Sequence, residues 1–151
     1  MTQKILSISL LMLMVSMLVP SLSIAAEPVT FGIVCEITGP AASSGGNWER
    51  GVLMAVEEIN AAGGILGRKI EAFTLDTKSE APVSVAAMKK AVERNPFVVM
   101  GTVWSGSTIV NMSVLQQAGI PQFTGSEAPA ITQKGNPNIF DGLVKSPDLS
   151  P

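Results

Sequence analysis

The chain has 151 residues, a formal net charge of −2 and 46% hydrophobic residues, which suits one folded domain and not a disordered acidic chain. It contains no histidine and one cysteine, which excludes histidine-based catalysis, histidine–metal sites and an internal disulfide. No basic run is available for nucleic acid, and we expect no nucleic-acid partner.

Residues 1–25 have the pattern of a secretory signal peptide. Lys4 supplies a positive charge, an apolar stretch runs from Ile5 to Leu18, and Ser23 and Ala25 place small residues at the −3 and −1 positions of a cleavage site. The apolar stretch is shorter than the roughly 20 residues that a membrane-spanning helix needs. We therefore expect cleavage after Ala25 and export of the remaining chain.

Apolar runs between turn residues predict four strands, at Val29–Cys35, Ile70–Leu75, Phe97–Gly101 and Ile120–Thr124. Three helices are predicted between them, beginning after Asn47 as N-cap, around Pro82 and at Ser105. Their expected buried faces are Trp48, Val52, Ala55, Val56 and Ile59; Val85, Met88 and Val92; and Ile109, Met112 and Leu115.

This order of elements, β-α-β-α-β-α-β with short connections, predicts the α/β class. We expect a parallel, Rossmann-like or flavodoxin-like sheet with right-handed crossovers and helices on both faces. Cys35 ends the first strand, and we expect a buried, unreactive thiol. The turn Gly63–Lys69 follows a helix and precedes a strand, so it has the wrong polarity for a phosphate-binding loop.

In a parallel sheet of this kind, ligands bind outside the carboxyl ends of the strands. Trp104, Ser105 and Ser107 follow the third strand and open a helix, where the two serines could donate to a ligand carboxylate or simply cap the helix. Ser126 and Glu127 follow the fourth strand. There Glu127 could accept a hydrogen bond from a ligand ammonium group or be merely solvated.

No nucleophile–base pair, carboxylate pair or metal-ligand cluster is visible in the sequence. A serine nucleophile needs an adjacent base, and no histidine exists to serve as one. We therefore expect that the chain is not an enzyme and uses no metal or other cofactor.

Several motifs resemble the leucine/isoleucine/valine-binding family of type I periplasmic receptors. They are Thr38-Gly39-Pro40, the helix from Gly51 into Glu58–Gly67, the run Met100–Thr108, and Ala118–Pro121 leading on to Phe140. The resemblance covers residues 29–140, and the stretch I-N-x-x-G-G-I-x-G is quite specific to the family. It implies a monomeric, two-lobed receptor in the periplasm that passes amino acids, or related amides and carboxylates, to the membrane permease of an ABC importer.

The resemblance also implies ligand contacts in three loops of the first lobe. They fall on Ser44, Trp104, Ser105 and Ser107, and near Ser126 and Glu127. The best-known leucine binders of the family carry a bulky aromatic residue at the position of Ser44, so the side-chain pocket is expected to differ.

One departure concerns length. Family members are more than twice as long, so we divide the chain into a signal peptide (1–25), a partial N-terminal ligand-binding lobe (26–140) and a tail (141–151) that resembles nothing in the family. We expect a truncated or frameshifted form. A stand-alone flavodoxin-like domain with an enzymatic or sensory role, and a fragment without function, remain the alternatives.

Overall fold

A computed structural model describes residues 26–142, which alternate strands and helices along the chain. The strands are β1 (Val29–Cys35), β2 (Ile70–Asp76), β3 (Val98–Met100), β4 (Gln122–Thr124) and β5 (Ile139–Asp141). The helices are α1 (Ala42–Ala61), α2 (Ala81–Glu93), α3 (Ser105–Ala118) and α4 (Ala130–Gln133). The expected signal peptide and most of the expected tail lie outside the described residues.

All five strands are parallel, and they form one sheet in the order β2-β1-β3-β4-β5. Strand β1, which lies between β2 and β3, pairs with β2 from Val29 opposite Ile70 to Cys35 opposite Asp76. The α/β class, the parallel sheet and the four expected strands are thereby confirmed. Because every strand runs the same way, the loops after β1, β3 and β4 meet at one edge of the sheet.

One face of the sheet is covered by α2 and α3. Val34 and Val99 of the sheet pack there with Met88 of α2 and Leu115 of α3, and all four side chains are at most 1% exposed. Burial of such apolar side chains contributes roughly 1.5–3 kcal/mol each. Side chains alternate along a strand, so Phe31 of β1 and Met100 of β3 face the opposite side.

The opposite face is only half covered. Helix α1 lies over the β1 side, where Phe31 and Met100 border an apolar groove with Trp48 and Val52. Beyond α1, Phe123 and Phe140 stack with ring centroids 5.1 Å apart and remain 42% and 46% exposed. Parallel sheets are normally covered on both faces, so this open aromatic half is unusual.

Two short elements were not predicted, namely β5 and α4. Each has three or four residues, and the segment around them contains Pro129, Gly135 and Pro137, which read as loop. The strand β5 forms through pairing with β4, which places Ile139 opposite Gln122. The strand conformation of β5 therefore results from its pairing with β4, and its short sequence alone does not indicate it.

The predicted N-cap at Asn47 is wrong, because α1 begins five residues earlier, at Ala42. The small residues Ser43 to Gly46 resemble a loop in the sequence, but they form the first turn of the helix. Position 45 has room only for glycine, because a Cβ there would lie 2.1 Å from the carbonyl oxygen of Glu36. The small residues allow the helix to approach the end of β1 closely.

The predicted buried faces are correct in part. Met88, Met112, Leu115 and Val56 are buried as expected. Ile109 and Ile59, by contrast, are each 38% exposed. Helix α3 instead buries polar residues, Thr108 and Asn111, because hydrogen bonds within the fold satisfy them.

Candidate functional site

The loops after β1, β3 and β4 surround a cavity of about 400 Å³ at the carboxyl edge of the sheet. We call it the edge cavity; its lining residues are Ala41, Ser44, Val103, Trp104, Ser105, Gly125 and Glu127. Four of the six predicted ligand residues, Ser44, Trp104, Ser105 and Glu127, are brought together here. Ser107 and Ser126 are 3% and 0% exposed and do not line the cavity.

Three lining positions were not singled out from the sequence, namely Ala41, Val103 and Gly125. None of them has a polar side chain, and Val103 and Gly125 directly precede the predicted residues Trp104 and Ser126. Gly125 lies close to the Trp48 ring, since a Cβ there would be 2.8 Å from ring atom Cζ3. Only the three-dimensional path of the loops reveals that these three residues border the cavity.

A fully buried carboxyl group supports the turn between β3 and α3. Glu36 is 0% exposed, and its Oε2 accepts hydrogen bonds from the backbone N–H groups of Val103 (3.2 Å) and Trp104 (3.4 Å). Its Oε1 is buried and has no hydrogen-bond partner in the described part of the chain. In the sequence Glu36 is an acid directly after an apolar strand, a position that by itself suggests an exposed loop.

A cluster of buried hydroxyl groups joins the loops after β3 and β4. Thr108 Oγ1 lies 2.6 Å from both Thr102 Oγ1 and Ser126 Oγ. Thr124 Oγ1 donates to the carbonyl oxygen of Thr102 at 2.6 Å and lies 2.8 Å from Ser126 Oγ. Ser126 therefore belongs to the support of the edge cavity and fixes the position of the neighbouring Gly125 and Glu127.

The polar groups that reach the edge cavity are few. Ser105 Oγ accepts the backbone N–H of Ala128 at 3.2 Å, and its own hydroxyl hydrogen remains available as a donor. Trp104 is 47% exposed, and Glu127 and Ser44 are exposed. Among the described lining residues, Glu127 is the only charged one. The arrangement can hold a small polar solute but offers it no positive charge.

Asp76 holds the loop after β1 in place by hydrogen bonds, and it does not line the edge cavity. Its carboxylate accepts the backbone N–H groups of Ile37, Thr38 and Lys78 at 2.8–3.1 Å and the Thr38 hydroxyl at 2.6 Å. Burial acts to raise the pKa of Asp76, but these hydrogen bonds stabilise the charged form and together lower the pKa. Asp76 therefore caps the loops after β1 and β2.

The Cys35 thiol is buried, as expected. Burial raises its pKa to about 12, and the negative charges of Glu49, Glu36 and Asp76 add to the rise. A thiol in such a setting is a poor nucleophile. The described residues contain no group of three or more side chains suited to hold a metal ion, and none of their helices combines the length and apolarity needed to cross a membrane.

A sequence model of periplasmic binding proteins matches residues 28–146. The leucine-, isoleucine-, valine-, threonine-, and alanine-binding protein of Pseudomonas aeruginosa is 35% identical over 121 residues, covering 80% of this chain and 32% of that protein. The Leu/Ile/Val-binding protein BraC3 of Rhizobium johnstonii is also 35% identical, over 118 residues that cover 78% of this chain and 32% of that protein.

Solved structures agree with the sequence matches. The branched-chain amino acid transporter substrate-binding protein LivJ of Streptococcus pneumoniae, in complex with isoleucine, superposes with a TM-score of 0.76 and 31% identity, covering 78% of this chain and 34% of that one. A substrate-binding protein of an ABC transporter from Desulfitobacterium hafniense, in complex with Leu, gives a TM-score of 0.69 at 26% identity, covering 80% and 35%. The chain thus spans about a third of the length of these relatives.

Proposed function

We propose that the chain forms the first ligand-binding lobe of the solute-binding component of an ABC importer. The basis of this proposal is that the chain belongs to the periplasmic binding protein family. The solute class that best suits its relatives is amino acids of the branched-chain type, with related small amides or carboxylates as the other members. The site of action is the periplasm, and the partner is the membrane permease of the importer. In this role the chain binds its solute and catalyses no reaction.

One observation carries the proposal. Four residues that the sequence marks as ligand contacts come from three separate segments, and they line one cavity at the carboxyl edge of a parallel sheet. In open α/β sheets this edge is where ligands bind. The volume of the edge cavity, about 400 Å³, falls within the range of small-molecule pockets.

The described lobe by itself is expected to bind weakly. Ser44, Trp104 and Glu127 are exposed, so any contact that they make is formed in water. Interactions between charged groups are several-fold weaker in water than in a closed site of low dielectric constant. About two thirds of the length of these relatives lies outside the matched region, and that part can supply the opposing surface.

Titration calorimetry and amide NMR on the exported chain, with leucine, isoleucine, valine and small amides, test the proposal. Dissociation constants in the millimolar range are expected, with shifts confined to the loops that border the edge cavity. Ser105→Ala should weaken binding about tenfold, because one hydrogen bond to a charged group contributes roughly 1.5–3 kcal/mol. Ser107→Ala, its matched control on the same turn, should leave affinity unchanged because Ser107 does not line the cavity.

The outcomes separate a ligand contact from a structural one. If Ser105→Ala lowers the melting temperature and leaves the dissociation constant unchanged, Ser105 serves only to hold Ala128. If none of the solutes shifts any resonance of the edge cavity, the chain is a fragment without binding function.

A further inference from the structure

A second cavity lies at the opposite edge of the sheet, where β1 begins. It has a volume of about 660 Å³, and it is bordered by the start of β1, the turn between α1 and β2, and the segment before β3. We call it the arginine cavity; its lining residues include Thr30, Ile65, Leu66, Arg68, Arg94 and Phe97. None of these residues lines the edge cavity. The strand β1 has seven residues, so its two ends are roughly 20 Å apart and the two cavities are separate.

Two guanidinium groups border the arginine cavity. Arg68 donates from Nε to the carbonyl oxygen of Glu27 at 2.6 Å and from Nη2 to the carbonyl oxygen of Pro28 at 3.2 Å. The guanidinium carbon of Arg94 lies 4.5 Å from the centroid of the Phe73 ring. Among the described residues, neither group forms an ion pair with a carboxylate. A guanidinium group carries five N–H donors, so both arginines keep most of their donors for another acceptor.

The charge of the arginine cavity favours an anion. Glu27 is the only acid among its described lining residues, against two arginines. Arg68 contacts Glu27 through the backbone carbonyl oxygen of that residue, which carries no net charge. Arginine binds carboxylates through two parallel N–H···O bonds, which makes a carboxylate the best match for an exposed guanidinium group.

Large apolar side chains are exposed beside the two arginines. Leu66 is 96% exposed and Phe97 is 68% exposed, and both line the arginine cavity. Leu66 also has a φ of 52°, in the left-handed region that residues other than glycine seldom adopt. The fold therefore gains almost no burial from this leucine and holds it in an unfavourable backbone conformation. Exposed apolar groups that are rimmed by polar residues are typical of interaction sites.

We propose that the arginine cavity binds a small organic anion, a carboxylate carried on an aromatic or branched aliphatic group. The carboxylate contacts the guanidinium groups of Arg68 and Arg94, and the apolar group covers Leu66 and Phe97. The volume of the cavity lies within the range of small-molecule pockets. This site goes beyond the proposed function, because it lies at the other edge of the sheet and requires no solute in the edge cavity.

Probes of similar shape and different charge test this inference. Phenylacetate, phenylacetamide, phenethylammonium and acetate are titrated into the exported chain at low ionic strength, and the amide resonances of Thr30, Leu66 and Asn95 are followed by NMR. Phenylacetate should bind at least about tenfold more tightly than the neutral amide and the cation, because only the anion pairs with the arginines. Acetate should also bind more weakly, because it has no ring to cover Leu66 and Phe97.

Two variants separate the charged part of the site from the apolar part. Arg94→Gln should weaken the binding of phenylacetate about tenfold. Leu66→Asn should weaken it about threefold by removing apolar contact. Because Leu66 is 96% exposed and asparagine tolerates a positive φ, the second variant is expected to fold like the unmodified chain. Arg50→Gln is the matched control, since Arg50 is an exposed arginine on α1 that does not line the arginine cavity.

The control should bind phenylacetate as tightly as the unmodified chain. Equal losses of affinity in Arg50→Gln and Arg94→Gln would overturn the inference, because the effect would then come from net charge and not from a site. Equal binding of phenylacetate and phenylacetamide would overturn it as well. The same holds if phenylacetate shifts no resonance, or shifts only those of the loops around the edge cavity.

Discussion

The ring of Trp48 in α1 packs against the backbone of Gly125 in the loop after β4. A Cβ at Gly125 would stand 2.8 Å from ring atom Cζ3 and 2.9 Å from Cε3, closer than carbon atoms approach without displacement. The indole nitrogen is buried and has no hydrogen-bond partner in the described part of the chain. Packing therefore holds this ring, and through it α1 and the β4 loop keep their positions beside the edge cavity.

Gly125→Ala should displace the Trp48 ring and destabilise the chain by about 1–3 kcal/mol, the usual cost of overpacking. Urea unfolding and tryptophan fluorescence measure the loss and the change in ring environment. Gly106→Ala is the matched control, because Gly106 lies in α3 with no atom within 4 Å of the added methyl group. It should stabilise the helix by up to ~1 kcal/mol. Equal effects of the two substitutions would show that the Trp48 contact is not tight.

The strands and helices that have a clear pattern of apolar residues could be predicted from the sequence. Continuous apolar runs such as Val29–Cys35 identify buried parallel strands without any tertiary information, and the alternation with helices fixes the sheet type. The edge location of the site follows from the same order of elements. Trp104, Ser105 and Glu127 of the edge cavity were therefore predictable from residue type and position, whereas Ser44 came from the family resemblance.

Contacts between distant segments were not predictable. Glu36 and Val103 are 67 residues apart, and nothing local indicates that a buried acid at the end of β1 would accept the amides before α3. The early start of α1 also depends on a contact between distant segments. Gly45 is helical because α1 approaches the end of β1 closely, although glycine itself does not favour a helix. Ser107 and Ser126 share the residue type of Ser105, and only burial distinguishes them from it.

Cys35 should resist labelling in the native chain. With a pKa of about 12, a fraction of roughly one in 10,000 of the thiol is ionised at pH 8, against about a quarter for an unperturbed thiol. Ellman's reagent should therefore react with the folded chain more than about a thousandfold more slowly than with the chain unfolded in urea. Fast reaction of the folded chain at pH 8 would mean that the end of β1 opens readily to solvent.

Asp76 should make stability depend on pH in the acid range. Its pKa is lower in the folded chain than the usual 3.8, so it stabilises the fold above that value, and the contribution is lost as pH falls through the folded pKa. Asp76→Asn should cost about 1–2 kcal/mol at pH 7 and progressively less as the pH falls below 3.8. Urea unfolding at several pH values measures this, with Glu71→Gln as the control. A constant difference between Asp76→Asn and the unmodified chain at all pH values would contradict it.

Export should remove the first 25 residues. The positive charge of Lys4, the apolar stretch Ile5–Leu18 and the small residues at Ser23 and Ala25 motivate this expectation, and all lie outside the described residues. N-terminal sequencing of the protein from a periplasmic extract should begin at Ala26. Replacing Ala25 by a bulky residue should leave precursor in the membrane fraction. An intact Met1 in the extracted protein would contradict the expectation.

Thr108→Val tests whether the buried hydroxyl cluster holds the two loops of the edge cavity together. Valine has the same shape as threonine but leaves the hydroxyls of Thr102 and Ser126 without the oxygen that now lies 2.6 Å from each. Removing one member of a buried hydrogen-bonded pair costs about 1–3 kcal/mol. Thr74→Val, at an exposed position on β2, should change stability by no more than ~0.5 kcal/mol. Amide hydrogen exchange at Val103 and Gly125 should accelerate in Thr108→Val alone, because these loops lose their common support. Unchanged exchange at both residues would show that the backbone pairing of β3 with β4 suffices to position the edge cavity.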